Sequence, residues 1–420
     1  MKSKTILTLA ATILVGAAFA DAATISDVTV RQLWPWSGDV DIGFTVSGAN
    51  TAVKFVAQYD GVEPFELKEH DLTGDFFNAA PGRRHVRWSP ARAGLDGDSL
   101  PNFRILSVTP DATDHTYMIL NLVDGSYTFA AAEPEGGWLA NPEHYQTKMV
   151  FRRIPAGTAT LGLSSALRTK LGTAANTGRH TATISSDYYL AVFPATGAQN
   201  YYVTQRAAGN IKDVSSYTAK IPDSGTSYDG LRGTPTGDNI DWPNTKYAVA
   251  EGSTIAAYRR LVAGTFSADW NLDLPTVVQW EYAARATTPT DQLWSVGGTV
   301  DDSFETYTNC LDQIATWYHN KADNPNLLVG QNLPNGWGLY DMVGLCYEWN
   351  LDWYVNSTTY YSGTDPVGPK VVTDKYRSRH SGNNSNITNW GYLTTAGIGS
   401  NGANSKHHYR LCIHLKSLFK

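Results

Sequence analysis

The sequence predicts an α+β chain of two units, a small antiparallel β-sandwich followed by a larger, loop-rich unit, and three observations predict it. Between residues 39 and 46, apolar Val40, Ile42, Phe44 and Val46 alternate with Asp39, Asp41, Gly43 and Thr45, the period of a half-buried strand. Further along, residues 334–354, PNGWGLYDMVGLCYEWNLDWY, hold three Trp, three Tyr and three Gly in 21 positions. Glycine lets a backbone turn and approach closely, and each aromatic brings a large area with strict packing geometry, so this segment predicts a core built from irregular chain. The composition agrees. At 420 residues the chain is too long for one ordinary core, and 17% charged residues with 37 Gly, 23 Tyr and 13 Trp favour strands and structured loops over helical bundles.

Residues 21–132 form the predicted sandwich. Short strand-like runs recur at 52–57, 85–88, 102–108, 116–122 and 126–130, separated by turn signals such as Ser37-Gly38, Ala80-Pro81-Gly82 and Asp96-Gly97. That pattern is immunoglobulin- or fibronectin-like. No catalytic constellation occurs in it. Asp39 and Asp41 share a strand face and read as ordinary solvated carboxylates. Residues 133–147, EPEGGWLANPEHYQT, read as a linker on their Pro and Gly content, and residues 148–420 as the second unit. Two helices are expected there. Residues 253–263 place Ile255, Tyr258, Leu261 and Val262 at helical spacing. In 273–286, DLPTVVQWEYAARA, Thr276 and Gln279 form a capping box, and Val277, Trp280 and Ala284 share a face.

The N-terminus predicts export. Lys2 and Lys4 precede a short apolar run from Ile6 to Phe19, and Ala18-Phe19-Ala20 offers a small-x-small cleavage site before Asp21. Residues 1–20 are thus read as a cleavable signal peptide of bacterial type, leaving a secreted or periplasmic chain that does not span the membrane. A net charge of −6 and the lack of any later Lys/Arg run exclude a nucleic-acid binder. Of the three cysteines, Cys310, Cys346 and Cys412, the odd count leaves at least one thiol unpaired. A Cys346–Cys412 disulfide and three small buried hydrophobes both fit.

Several segments, taken in order, carry a resemblance. They are MVFRRIPAGTATLG at 149–162, YYLAVFPATGAQNYY at 188–202, LPTVVQWEYAARA at 274–286, PNGWGLYDMVGLCYEW at 334–349, and Tyr409-Arg410-Leu411. Together they resemble the formylglycine-generating enzyme (sulfatase-modifying factor) family over roughly 148–415. The resemblance implies that family's variant of the C-type lectin fold. It also implies Trp280, Trp337, Trp349 and Trp353 as core struts, with Arg285 and Glu348 in a buried ion pair or bonded to backbone.

Active members of that family oxidise a substrate cysteine with copper(I) held by two neighbouring thiolates, which a soft monovalent ion prefers. The turn that precedes those thiolates corresponds here to Arg379-His380-Ser381-Gly382. No cysteine lies between Cys346 and Cys412. Copper is therefore not expected, and no cofactor is required. Structural calcium is left open at Asn309, which resembles a family ligand, while Leu345 stands where the family has an asparagine. His407, His408 and His414 read as a solvated loop, with a histidine metal site as the alternative. The leading functional expectation is a binding or structural module for a glycan, a peptide or a cell-surface protein, with Ser381, Asn383, Asn384, Trp390 and Tyr392 lining its groove. An oxidase or hydroxylase with a different ligand set is the alternative.

Overall fold

The computed structural model describes residues 22–33, 35, 37–95, 100–165, 169, 178–205, 220–223, 227–233, 249–286, 288, 304–355, 357–369, 377–382 and 407–415. The chain forms two compact units, Met1–Ala112 and Thr113–Lys420. The predicted signal peptide lies outside the described residues. Among the described residues no helix is long and apolar enough to cross a membrane.

The first unit is all-β. Strands β1 (Thr24–Gln32), β2 (Val40–Ser47), β5 (Leu72–Gly74) and β6 (Gly82–Trp88) form one sheet, and β3 (Ala52–Gln58), β4 (Phe65–Glu66) and β7 (Arg104–Asp111) another, all antiparallel. The alternation that predicted β2 is what buries it: Val40, Ile42, Phe44 and Val46 are fully or almost fully buried, and Asp41 points outward beside His85. Side chains of the two sheets meet. Phe44 of β2 packs edge-on to Phe55 of β3, and Phe65 of β4 against Trp88 of β6.

The second unit is mixed α/β, with strands β8 to β21. Its largest sheet is antiparallel and six-stranded, in the order β14 (Asn271–Asp273), β21 (Cys412–His414), β13 (Tyr188–Ala191), β10 (Lys148–Ile154), β8 (Tyr117–Asn121), β9 (Tyr127–Ala130). Smaller pairings join β11 (Gly157–Leu161) and β18 (Gly363–Thr364) to β12 (His180–Ile184), and β15 (Ala315–Thr316) to β16 (Val343–Gly344). The last sheet sets β17 (Tyr347–Trp353) between antiparallel β19 (Arg377–His380) and parallel β20 (His407–His408). Among the described residues the unit also has five α-helices: α1 (Gly197–Thr204), α2 (Tyr228–Arg232), α3 (Thr254–Val262), α4 (Val277–Arg285) and α5 (Phe304–Ile314).

The start of α4 is written in its sequence. Thr276 Oγ1 accepts from Gln279 N at 3.1 Å and Gln279 Oε1 from Thr276 N at 3.0 Å, so both halves of the capping box form. Val277, Trp280 and Ala284 are then buried on one face, in a cluster with Ile154, Tyr188, Leu190, Leu311, Trp317 and Cys412. Helix α3 falls within the stretch 253–263 read as helical, and Ser253 caps it, its hydroxyl accepting from Ala256 N.

The boundary between the units differs from the one read at residue 132. Runs 116–122 and 126–130 are strands, as expected, but β8 pairs with β10 through five residue pairs from Lys148↔Asn121 to Arg152↔Tyr117. Backbone hydrogen bonds therefore assign them to the second unit. Residues 133–147 are not a linker either. They form two 3₁₀ turns, Trp138–Ala140 and Pro142–Tyr145, with Asn141 capping the second. Trp138 is 2% exposed, packed against Tyr117 and His144. One large buried ring outweighs the flexibility suggested by the two prolines and two glycines around it. A fragment beginning at Thr113 is expected to fold, whereas one beginning at Lys148 loses the partner of β10 along its whole edge and aggregates. Near-UV circular dichroism and gel filtration of the two fragments distinguish this boundary from one at residue 132.

Candidate functional site

The signature segment 334–353 leads from a turn into β17, and a single arginine fixes it in place. Arg410 is 0% exposed. Its Nη1 donates to the carbonyls of Ala191 and Val192, each at 2.8 Å, and its Nη2 to the Tyr340 carbonyl at 2.7 Å. Nε and Nη2 also reach the Glu348 carboxylate, at 3.0 and 2.8 Å. Trp280 Nε1 donates to the other side of that carboxylate at 2.6 Å. All five guanidinium hydrogens thus have acceptors, the condition under which a buried ion pair is tolerated. The expected buried pairing of Glu348 therefore occurs, with Arg410. Arg285 instead pairs with Glu281 at 2.7 Å and donates to the Gly162 carbonyl. Trp280, Trp349 and Trp353 are buried, and Trp337 is partly buried.

The turn Arg379–Gly382 is stitched to the signature. Ser381 is 0% exposed at φ 77°. Its hydroxyl donates to the Gly344 carbonyl at 2.8 Å, and Gly344 N donates to the Ser381 carbonyl at 2.8 Å. Gly344 itself, at φ 76°, has no room for a Cβ, which would lie 2.5 Å from the Thr316 carbonyl. Asp341 and Leu345, both at φ 56°, flank it. Left-handed backbone costs about 1–2 kcal/mol for a side chain such as Leu, and the asparagine that Leu345 replaces adopts it more readily. Burial of Leu345 at 2% exposure, among Tyr117, Trp138 and Phe193, compensates.

The sheet β19–β17–β20 has two faces of different chemistry. On the face toward α4, His380 stacks on Trp280 at 4.4 Å and donates from Nδ1 to Asn350 Oδ1 at 2.5 Å; burial pushes its imidazole down to about 4. Asp352, on the same face, accepts from Val277 N at the start of α4, and burial pushes its carboxyl up to about 7. On the opposite face, Arg379 lies 3.9 Å above the Tyr347 ring and hydrogen-bonds His407. His407 stacks on Trp349 at 4.7 Å, and Arg377 lies over Trp353 and Tyr228.

His407 and His408 are 5% and 4% exposed. The solvated loop expected for them is not what forms, because parallel pairing to β17 takes them into the sheet. Among the described residues, no group of three or more His, Cys, Asp or Glu side chains is placed to hold a metal ion. Of the groove residues, only Ser381 is described, and its hydroxyl is engaged within the fold. Asn383, Asn384, Trp390 and Tyr392 lie outside the described residues. Asn309 is exposed on α5, and its carbonyl accepts from Gln313 Nε2 at 3.0 Å.

The cysteines are all free. Cys346 packs with Tyr117, Trp138 and Val150, while Cys412 belongs to the separate cluster around Trp280, against which Cys310 is partly buried. Burial pushes the Cys346 and Cys412 thiols well up, so both are neutral. A copper(I) site needs two converging thiolates, and these thiols do not fit it. Sequence reasoning gave no role to Arg377 or Arg410. The alternation Arg377-Ser378-Arg379, two cations on one strand face, was the available signal for the outer face.

Comparison with known proteins agrees with this scaffold. The model of the sulfatase-modifying factor enzyme 1-like domain matches residues 139–392, more than half of the chain. The chain belongs to that family. The match begins at Leu139, within the stretch first read as linker. Among characterised relatives, the formylglycine-generating enzyme of Bos taurus is 29% identical over 99 residues, 23% of this chain and 25% of that protein, so the chain spans about a quarter of its length. Among solved structures, Treponema denticola variable protein 1 is 17% identical, with a TM-score of 0.47 over 63% of this chain and 95% of that one. PvdO from Pseudomonas aeruginosa is 16% identical, with a TM-score of 0.44 over 63% and 94%.

The titration of Asp352 gives a testable sign. Its folded value of about 7 lies above the ordinary 3.8, so between these the folded state holds a proton that the unfolded state has lost, and stability falls as pH rises. His380, His407 and His414, each pushed down to about 4 by burial, have the opposite sign and weaken the fold as pH falls below 6.5. Asp352→Asn is expected to gain stability relative to the native chain on moving from pH 5 to pH 8. Urea midpoints at both values check this; an unchanged difference contradicts it.

Proposed function

We propose that this chain is an exported binding module built on the sulfatase-modifying factor scaffold, without formylglycine-generating oxidase activity. One observation carries the reading. The two thiols of the signature and the terminal strand are neutral, buried, and assigned to different apolar clusters, while the turn that precedes the copper thiolates in active members is closed here by a serine bonded to backbone. Among the described residues the scaffold elements are retained, from the capping box of α4 to the saturated Arg410. A retained framework without its redox ligands supports recognition rather than oxygen chemistry.

In this reading the first unit is a β-sandwich used for spacing or docking, and the second is a C-type lectin variant. The ligand is a glycan, a peptide or a surface partner held at the C-terminal end of the signature sheet. The apolar N-terminal run and its cleavage signal support export to the periplasm or beyond.

The test has two arms. After anaerobic loading with copper(I) the protein is expected to retain no stoichiometric metal and to consume no oxygen with a cysteine-containing peptide. On a glycan array and in a peptide pull-down it is expected to bind at least one class. Copper retention with oxygen uptake would restore the oxidase reading, and silence in both binding assays would remove the recognition reading.

A further inference from the structure

The outer face of the β19–β17–β20 sheet carries an imbalance that nothing else in the fold uses. Cross-strand partners share a face, so Tyr347 with His407, Trp349 with Arg379, and Trp353 with Arg377 lie on one side. Arg377 and Arg379 are two apart on β19, roughly 7 Å along the strand. Arg377 is 4% exposed, yet its guanidinium has no carboxylate within ion-pair distance among the described residues, and its Nη1 is buried without an acceptor. It rests on the Trp353 and Tyr228 rings instead. Arg379, which is partly exposed, donates to His407 Nε2 and leaves its own Nε without an acceptor.

Because His407 Nε2 accepts, its proton sits on Nδ1, and that N–H is also buried without an acceptor. Trp353 Nε1 is in the same state. Among the described residues, four N–H groups without an acceptor therefore share one face: Arg377 Nη1, Arg379 Nε, His407 Nδ1 and Trp353 Nε1. All are donors, and two belong to cations. Each buried donor left unpaired costs free energy, and an uncompensated buried cation costs more. The contrast with Arg410, whose every hydrogen is satisfied, shows that the fold can saturate a guanidinium when that residue serves only packing.

We infer that this face is a site for an oxyanion, a carboxylate or sulfate borne on a sugar, entering at Arg379 and completing the hydrogen bonds of Arg377, His407 and Trp353. The inference rests on the recognition reading above and names its ligand class. Guanidinium groups match such oxyanions with charge-assisted, planar hydrogen bonds. A sugar also brings neutral hydroxyl acceptors for the imidazole and indole donors, beside the charged oxyanion for the guanidiniums.

The experiment is isothermal titration of the full chain with uronate-bearing oligosaccharides, sulfated oligosaccharides, their neutral parents and an acidic peptide, at low and high salt. Acidic sugars are expected to bind at least about tenfold more tightly than the neutral parents, and Arg379→Gln to remove about tenfold, the scale of one charge-assisted bond. Arg379 is partly exposed, so this variant is expected to keep the native circular dichroism spectrum. Arg379→Lys, which keeps the charge but loses the planar fork, is the second variant and is expected to recover only part of the affinity. Whether uronate or sulfate binds identifies the oxyanion. Equal binding of neutral and acidic sugars would overturn the oxyanion site while leaving recognition intact. Binding of the acidic peptide alone would overturn the sugar assignment, and no binding in any arm would overturn both readings.

Discussion

One buried guanidinium organises the second unit. Arg410 reaches the backbone of β13 and the segment after it through Ala191 and Val192, the signature turn through Tyr340, and β17 through Glu348, whose carboxylate is shared with Trp280 of α4. Three segments far apart in sequence, around residues 191, 280 and 340–348, are thus tied together through one side chain that is 0% exposed. An ion pair stripped of water is stable only when its remaining hydrogens and lone pairs are met. That condition dictates the positions of these carbonyls to within a hydrogen bond. It accounts for how a unit with short strands and long irregular connections holds a fixed core.

The same node sets the chemistry of the last sheet. With Glu348 turned to Arg410 and Trp280, alternation along β17 places Tyr347 and Trp349 on the opposite face. The pairings to β19 and β20 then bring Arg379 and His407 over those rings. The face toward α4 is closed by the His380–Trp280 stack and the Glu348–Arg410 pair, and the opposite face by cations resting on aromatic rings. Where active members of the family spend this region on a metal, the present chain carries a serine-closed turn followed by a cysteine-free segment.

Local chemistry was legible wherever it was self-contained. The alternation of Val40 to Val46, the Thr276–Gln279 capping box and the Val277, Trp280, Ala284 stripe each specify an element through neighbours in sequence, and each formed as read. The family was legible because its signature runs through 334–349 with a departure at Leu345. What failed depended on distant partners. Residues 133–147 carry two prolines and two glycines, and distant partners such as Tyr117, Val150 and Phe193 make Trp138 a core residue. His407 and His408 lie beside a Gly/Asn-rich stretch, and their burial follows from β17, some sixty residues earlier in the chain. Arg410 lay in a recognised motif, but its role required carbonyls from two other segments, at Ala191–Val192 and Tyr340, and the Glu348 carboxylate.

The central claim is that Glu348 and Arg410 act as one energetic unit at the heart of the second domain. A double-mutant cycle with Glu348→Leu and Arg410→Leu, read by chemical denaturation of the full chain, tests it most directly. Each single change strands a buried charge and is expected to cost about 3–5 kcal/mol. The double variant is expected to cost less than the sum by at least about 2 kcal/mol, well above the 0.3–0.5 kcal/mol scatter of independent sites. Additive costs would show that the two residues do not depend on each other, and that the fold is held together elsewhere.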